Sequence, residues 1–142
     1  MTRYVVDASV AVKWLVREPL SREASRLLAG DISLMAPELL FAEAANALWA
    51  MRQRGELTDA QFEEAVETLR GAPVLVPSTL LQLTAAASRL AADLSHPIYD
   101  CFYLALAIQE KARLVTADMR FCDRVGSHPY LSDTITRLAE LG

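Results

Sequence analysis

Tyr4-Val5-Val6-Asp7-Ala8-Ser9 at the start of the chain and Leu114-Val115-Thr116-Ala117-Asp118 near its end share one plan: a short apolar run that stops on a carboxylate. Runs of this length read as strands, and longer helical patterns separate them from one another. That alternation predicts an α/β domain built on a parallel sheet. Tyr4-Val5-Val6 is the first expected strand, and a helix follows from about Ser9 through Val16, ended by Glu18-Pro19. Ser21 is the expected N-cap of a second helix closed by Gly30, and Ile32 to Met35-Ala36 is the next strand.

Pro37 suits the first turn of a long helix running to about Arg54, with Gly55 as its stop. Thr58-Asp59-Ala60-Gln61 is a capping box for another helix ending near Gly71, so the two form a helical hairpin. Val74-Leu75-Val76 reads as a strand, Ser78 as the cap of a helix to about Leu94, and Pro97 as the opening of the next. After the strand Leu114-Val115-Thr116, Asp118 begins a short helix. A short strand is expected near Tyr130-Leu131, and a helix from Thr134 to Leu141. No internal repeat, low-complexity tract or linker interrupts this order, and residues 1–142 are expected to form a single domain.

Two further acids interrupt apolar stretches. Glu43 lies in Leu39-Leu40-Phe41-Ala42-Glu43-Ala44-Ala45, and Asp100 opens Cys101-Phe102-Tyr103-Leu104-Ala105-Leu106-Ala107-Ile108. A lone buried carboxylate is costly unless a cation or a hydrogen-bonding partner compensates it. Asp7 and Asp118 follow strands, where a parallel sheet exposes its ligand-binding edge. Glu43 shares a helical face with Leu39, Leu40 and Ala47, and Asp100 sits in a first helical turn, where the dipole favours an anion. Each acid has a local explanation too. Asp7 and Asp118 suit N-caps, Asp100 suits a dipole partner, and Glu43 suits a salt bridge to an arginine. Taken together, the four are better explained as one pocket. Oxygen ligands without His or Cys select a hard cation, Mg²⁺ or Mn²⁺, which activates water and stabilises charge on a phosphoryl group.

Composition narrows the alternatives. The 53% hydrophobic content argues against disorder, and no apolar run reaches the ~20 residues that span a bilayer. The first residues lack the apolar segment of a signal peptide, so a cytoplasmic location is expected. Cys101 and Cys122 have no zinc-type spacing and read as core residues. The two histidines, His96 and His128, each precede a proline in expected loops, giving little support to a histidine-based site. The net charge of −4 does not advertise a nucleic-acid binder, although twelve of the fourteen basic residues are arginine, a side chain suited to phosphate.

In order and spacing these segments resemble the PIN-domain nucleases, most closely the VapC-type toxins of bacterial toxin–antitoxin pairs. The matching pieces are Val6-Asp7-Ala8-Ser9, Glu43-Ala44-Ala45-Asn46-Ala47-Leu48, Tyr99-Asp100-Cys101-Phe102-Tyr103-Leu104-Ala105-Leu106-Ala107 and Leu114-Val115-Thr116-Ala117-Asp118. They span residues 4 to about 126. The resemblance implies a three-layer α/β/α fold with a central parallel sheet, and a Mg²⁺- or Mn²⁺-dependent endoribonuclease. It also implies a homodimer and a cognate antitoxin that holds the toxin inactive. By position, Asp7, Glu43, Asp100 and Asp118 match the family's acidic quartet. Ser9 and Thr116 match its small hydroxyl residues beside the metal, and Asn46 a polar residue one turn beyond the Glu. Cys101 stands where alanine is common, and Asp123 reads either as a fifth acid near the pocket or, in the preferred reading, as a solvent-facing residue beside Arg120 and Arg124.

The expected reaction is in-line attack by water that expels the 3′ oxygen, with Asp7, Asp100 and Asp118 as the main ligands. Glu43 is either a further ligand or the base that orients the water. Arg17, Arg52, Arg54 and Arg120 are candidates for phosphate contacts. The hairpin's Phe41, Leu48, Trp49, Met51 and Phe62 supply core or partner-facing apolar surface. Two rivals stand beside this reading. An aspartate-based phosphoryl-transfer domain would need a lysine after the last strand or a second Asp at position 9. A non-catalytic metal- or partner-binding protein would use the acids structurally.

Overall fold

The computed structural model describes residues 1–141, in which five strands and seven α-helices alternate. Strand β1 (Thr2–Val6) leads into α1 (Ala8–Leu15) and α2 (Ser21–Arg26), and β2 (Ile32–Met35) into α3 (Leu39–Gln53) and α4 (Asp59–Arg70). Then follow β3 (Val74–Leu75), α5 (Leu80–Leu94), α6 (Ile98–Gln109), β4 (Arg113–Thr116), α7 (Met119–Gly126) and β5 (Ile135–Arg137). All strand pairings are parallel, in the order β3-β2-β1-β4-β5. The α/β architecture and parallel sheet are those expected from the alternating runs. Among the described residues no helix is long and apolar enough to cross a membrane.

Both faces of the sheet are buried, which is why its strands read as continuous apolar runs rather than alternating ones. Successive residues of a strand point to opposite faces. Val5, Met35 and Leu114 therefore join Leu83 and Ala87 of α5, Leu104 and Leu106 of α6 and Phe121 of α7. Val6, Leu34 and Val115 join Val10 of α1, Ala24 of α2 and Leu27 on the other side. A third cluster, Val12, Ala44 and Leu69, seals the α3–α4 hairpin against α1, with Phe41 and Met51 packed on it. Leu48 is buried, whereas Trp49 of the same helix is exposed. Gly55 turns the hairpin at φ +77°, a conformation glycine adopts without strain.

The chain starts in the middle of the sheet. It moves from β1 to β2 and β3 on one side, then returns to lay β4 and β5 on the other. The order reverses between β1 and β4, whose register pairs Val6 with Val115. A crevice at such a reversal, beyond the carboxyl ends of the strands, is where open α/β sheets bind ligands. Asp7 and Thr116 stand at that edge.

Several local expectations are corrected. The tail from Thr134 to Leu141 is not a helix: Ile135–Arg137 forms β5 beside β4, flanked by single 3-10 turns at Ser132–Thr134 and Leu138–Glu140. The i, i+3 spacing of Ile135 and Leu138 imitates a helical face, yet the two enter cores on opposite sides of the sheet. The β-branched pair Ile135-Thr136 fits an edge strand, and Arg113 secures it by donating to the Ile135 carbonyl at 3.0 Å. No strand forms at Tyr130-Leu131, where the chain turns. Ser21 is not a cap: Leu20 enters α2 in the left-handed region, and the Ser21 hydroxyl instead closes the preceding turn between the Glu18 N–H and the Val16 carbonyl.

The cap of α5 is Thr79 rather than Ser78. Its hydroxyl accepts from the Gln82 N–H, and the Gln82 side chain accepts from the Thr79 N–H, a complete capping box. Ser78 is buried and accepts from the Gln109 amide of α6. Thr79→Ala is expected to cost about 1 kcal/mol of stability, read from the urea midpoint at unchanged m-value. A midpoint equal to that of the parent would remove Thr79 from the cap.

Candidate active site

Asp7 carries the densest set of interactions at the sheet's ligand edge. It caps α1 through its side chain, so the local explanation of this residue is correct as far as it goes. Its Oδ1 accepts from the Ser9 hydroxyl at 2.5 Å and from the Val10 N–H at 3.3 Å. Its Oδ2 accepts from the Thr116 hydroxyl at 2.5 Å. The same two hydroxyls reach across to the β4–α7 turn. Ser9 Oγ accepts from the Ala117 N–H and Thr116 Oγ1 from the Asp118 N–H, each at 3.0 Å. One carboxylate thus ties the end of β1 to the end of β4 through two small side chains.

This carboxylate is 6% exposed, and burial pushes its pKa up to about 6 against the opposing pull of Ser9 and Thr116. The nearby Asp100 carboxylate pushes in the same direction as burial. Glu43 is also raised, first by burial and then by Asp100, while a hydrogen bond from Tyr103 pulls the other way. Asp7, Glu43 and Asp100 therefore share one electrostatic field, with Asp100 felt by both of the others. Among the described residues none of the four sequence-selected acids is paired with a lysine or arginine. The arginine expected as the local explanation for Glu43 is absent from that set. In its place the Tyr103 hydroxyl donates to Glu43 Oε1 at 2.5 Å.

Asp100 occupies the first turn of α6, where its Oδ2 meets His96 Nε2 at 2.6 Å. The His96 ring packs on Phe121 of α7 with centroids 4.5 Å apart. Sequence reasoning treated His96 as a loop residue and Tyr103 as part of an apolar run. The four-residue spacing from His96 to Asp100 is a signal that could have revealed the first. Nothing local pointed to the second, because its partner is sixty positions away.

Asp118 lies at the same strand edge but turns back to cap α7, accepting from the Phe121 N–H at 3.1 Å. Asp118 thus has at α7 the same capping role that Asp7 has at α1. No group of three or more His, Cys, Asp or Glu side chains among the described residues stands in ion-holding geometry. The donor set is nonetheless all oxygen at the strand edge, and Asp100 repels both Asp7 and Glu43 with no lysine or arginine paired to them among the described residues. That chemistry fits a hard divalent cation. Asn46 is exposed one turn beyond Glu43, and both line a cavity of about 330 Å³ with Leu39, Ala42, Ala47 and the exposed Tyr99.

The remaining candidates separate cleanly. Asp123 faces solvent and pairs with Arg137 of β5. Arg52 and Arg54 are engaged by Asp59 and Glu56 on the hairpin surface, while Arg17 and Arg120 are exposed. Cys101 is buried with its thiol pushed up to about 11, first by burial and then by Asp100, which keeps it protonated and inert.

Comparison with known proteins places this geometry in context. Residues 4–126 match the family model of the PIN domain. Ribonuclease VapC9 of Mycobacterium tuberculosis is 34% identical over 119 residues, covering 84% of this chain and 88% of that protein. Ribonuclease VapC3 of Pyrobaculum aerophilum is 28% identical over 123 residues, covering 86% and 94%. Among solved structures, VapBC-1 from nontypeable Haemophilus influenzae superposes with TM-score 0.62 at 19% identity, covering 98% of this chain and 100% of that one. VapBC2 from Rickettsia felis, bound to a DNA fragment from its promoter, gives 0.65 at 16% identity, covering 96% and 98%. At these identities the structures establish the fold, a PIN-like α/β/α arrangement.

The raised pKa of Asp7 has a definite sign. A carboxyl that binds its proton more tightly when folded supports the fold below its ordinary value of 3.8 and loses that support as pH rises towards about 6. In chelator, the protein is expected to lose about 2 kcal/mol through Asp7 between pH 4 and pH 7. Asp7→Asn, which retains an acceptor for Val10, should melt higher than the parent at pH 7 and lose that advantage at pH 4. A variant less stable than the parent at pH 7 would contradict the burial cost assigned to this carboxylate.

Proposed function

The chain belongs to the PIN-domain family, and from that membership we propose that it is a VapC-type toxin. In this reading it is an endoribonuclease that hydrolyses RNA phosphodiester bonds with Mg²⁺ or Mn²⁺ bound mainly by Asp7, Asp100 and Asp118, with Glu43 as the base beside it. The observation that carries the reading is the gathering of Asp7, Glu43 and Asp100 at the topological reversal of the sheet, with no lysine or arginine paired to any of them among the described residues. Aspartyl phosphotransfer is disfavoured by the residues present. Position 9 is a serine bound to Asp7 rather than a second aspartate, and Lys13 and Lys111, the chain's two lysines, both precede the last strand.

When bound, the cation neutralises charge on the phosphoryl oxygens and acidifies water. The chain's own residues supply position and proton transfer. Ser9 and Thr116 hold Asp7 in one orientation, and His96 does the same for one oxygen of Asp100. Glu43, made more basic by partial burial, accepts the proton of a water attacking phosphorus in line. The P–O3′ bond breaks, the departing 3′ oxygen takes a proton from solvent, and a 3′-hydroxyl and a 5′-phosphate remain. Because water is the nucleophile, the 2′-hydroxyl takes no part in the chemistry, and preference for RNA arises from contacts to ribose and from strand shape. Exposed Arg120, two residues beyond Asp118, is the best placed of the sequence-selected arginines to meet a phosphate.

A cognate antitoxin and a second protomer are the proposed protein partners, with exposed Trp49 and Tyr99 beside Asn46 as the apolar surface they cover. An antitoxin arginine entering the acidic pocket would supply the cation that the chain itself lacks there. The chain is read as one PIN-like domain acting in the cytoplasm.

The test begins with protein refolded from denaturant to strip any bound partner, then incubated with RNA and Mn²⁺ or Mg²⁺. Cleavage with 5′-phosphate products is expected, lost in chelator, and reduced at least about 100-fold in Asp7→Asn and in Asp100→Asn, in keeping with removal of a charge-stabilising group. Full activity of either variant would remove the pocket from the reaction. Failure of the parent to cut any RNA would favour a non-catalytic binding protein.

A further inference from the structure

Tyr103 stands apart from the other aromatic residues. It lies in the middle of α6, is 1% exposed, and is the bulkiest of the fully buried side chains. Its ring sits in the core beside Leu104 and Leu106, whereas its hydroxyl leaves that core to donate to Glu43 Oε1 at 2.5 Å. Burial and the neighbouring Glu43 carboxylate raise its pKa, with Asp7 and Asp100 adding to the effect, so the phenol keeps the proton it donates.

We propose that Tyr103 is the positioning residue for Glu43, a rigid donor on α6 that fixes one carboxylate oxygen of α3 and leaves the other facing the acidic pocket. Three observations converge on this role. Glu43 is borne by a helix whose exposed side is solvent, and a glutamate has three rotatable bonds with which to turn away from Asp7 and Asp100. The charge field opposes its staying, because Asp100 repels it. Against both tendencies stands a side chain with two soft torsions, locked by packing on all sides, whose fixed length sets where the carboxylate rests. No other side-chain hydrogen bond to Glu43 is present among the described residues. The contact also spans the two helices that carry Glu43 and Asp100, so it fixes the separation of the α3 and α6 acids as well as the rotamer of one. The Tyr103 hydroxyl meets Glu43, and the role proposed for it runs through that carboxylate.

The inference rests on the proposed ribonuclease only for its kinetic consequence. Its test therefore pairs kinetics with structure. Tyr103→Phe removes the hydroxyl and keeps the packed ring, and Glu43→Gln removes the charge while keeping an acceptor. In the parent background, Tyr103→Phe is expected to lower kcat about tenfold with KM within about twofold, the loss expected for one misplaced general base. In the Glu43→Gln background the same change should alter kcat by less than twofold, since there is no base left to misplace. The crystal structure of Tyr103→Phe should show the Glu43 carboxylate displaced from the position it holds here, with circular dichroism confirming an intact fold. A carboxylate that stays in place, or a kcat loss of equal size with and without Glu43, would overturn the proposal. If the parent cuts no RNA yet the carboxylate moves in Tyr103→Phe, the ribonuclease reading fails and the positioning role stands.

Discussion

The buried carboxylate of Asp7 is the constraint around which the remaining structure is arranged. It lies at the end of the central strand and is shielded from water, with hydroxyl and amide groups as its hydrogen-bond partners. Ser9 and Thr116 satisfy its oxygens while accepting backbone N–H groups from the next turn. Hydrogen bonding lowers the cost of burial without cancelling it, because no countercharge enters. The fold thus carries an unfavourable term at one place, at the point where strand order reverses. Strain or unpaired charge held by an otherwise consistent structure is characteristic of working sites rather than of packing.

From that point the architecture follows a simple division. The two faces of the sheet are covered by helices that supply stability through apolar contact. The carboxyl edge between β1 and β4 is kept for polar groups. Helices α3 and α6 bring Glu43 and Asp100 to it, each held from behind by a side chain of the protein's own interior, Tyr103 and His96. Asp118 stands at the end of β4, where its carboxylate caps the first turn of α7. An acidic pocket built this way is organised in its two inner layers and open at its rim. A rim of this kind suits a ligand that completes the coordination on arrival.

The sequence was readable where interactions are local. Capping boxes such as Thr58 with Gln61 announce helices through contacts three residues apart. Two-sided burial leaves its mark as Tyr4-Val5-Val6 and Leu114-Val115-Thr116, and the four acids stood out because each broke an apolar pattern. Reading failed where a local pattern had two solutions. Ile135 and Leu138 were spaced for a helix, yet the free edge of β4 recruited the segment as a strand. Ser78 and Thr79 were both plausible caps, and only the packing of α5 on α6 decided which hydroxyl faced the helix end and which faced Gln109.

What the chain determined by itself was the alternation of elements and the short list of residues too polar for their surroundings. Both are properties of spacing along the backbone, and neighbours in sequence suffice to set them. Tertiary structure alone decided which side chains those acids meet. Glu43 found a phenol rather than an arginine, and Asp100 found an imidazole. Those outcomes depend on how α3, α6 and α7 pack over the strand edge, because a hydrogen bond between residues sixty positions apart exists only once helix packing has fixed the distance between them.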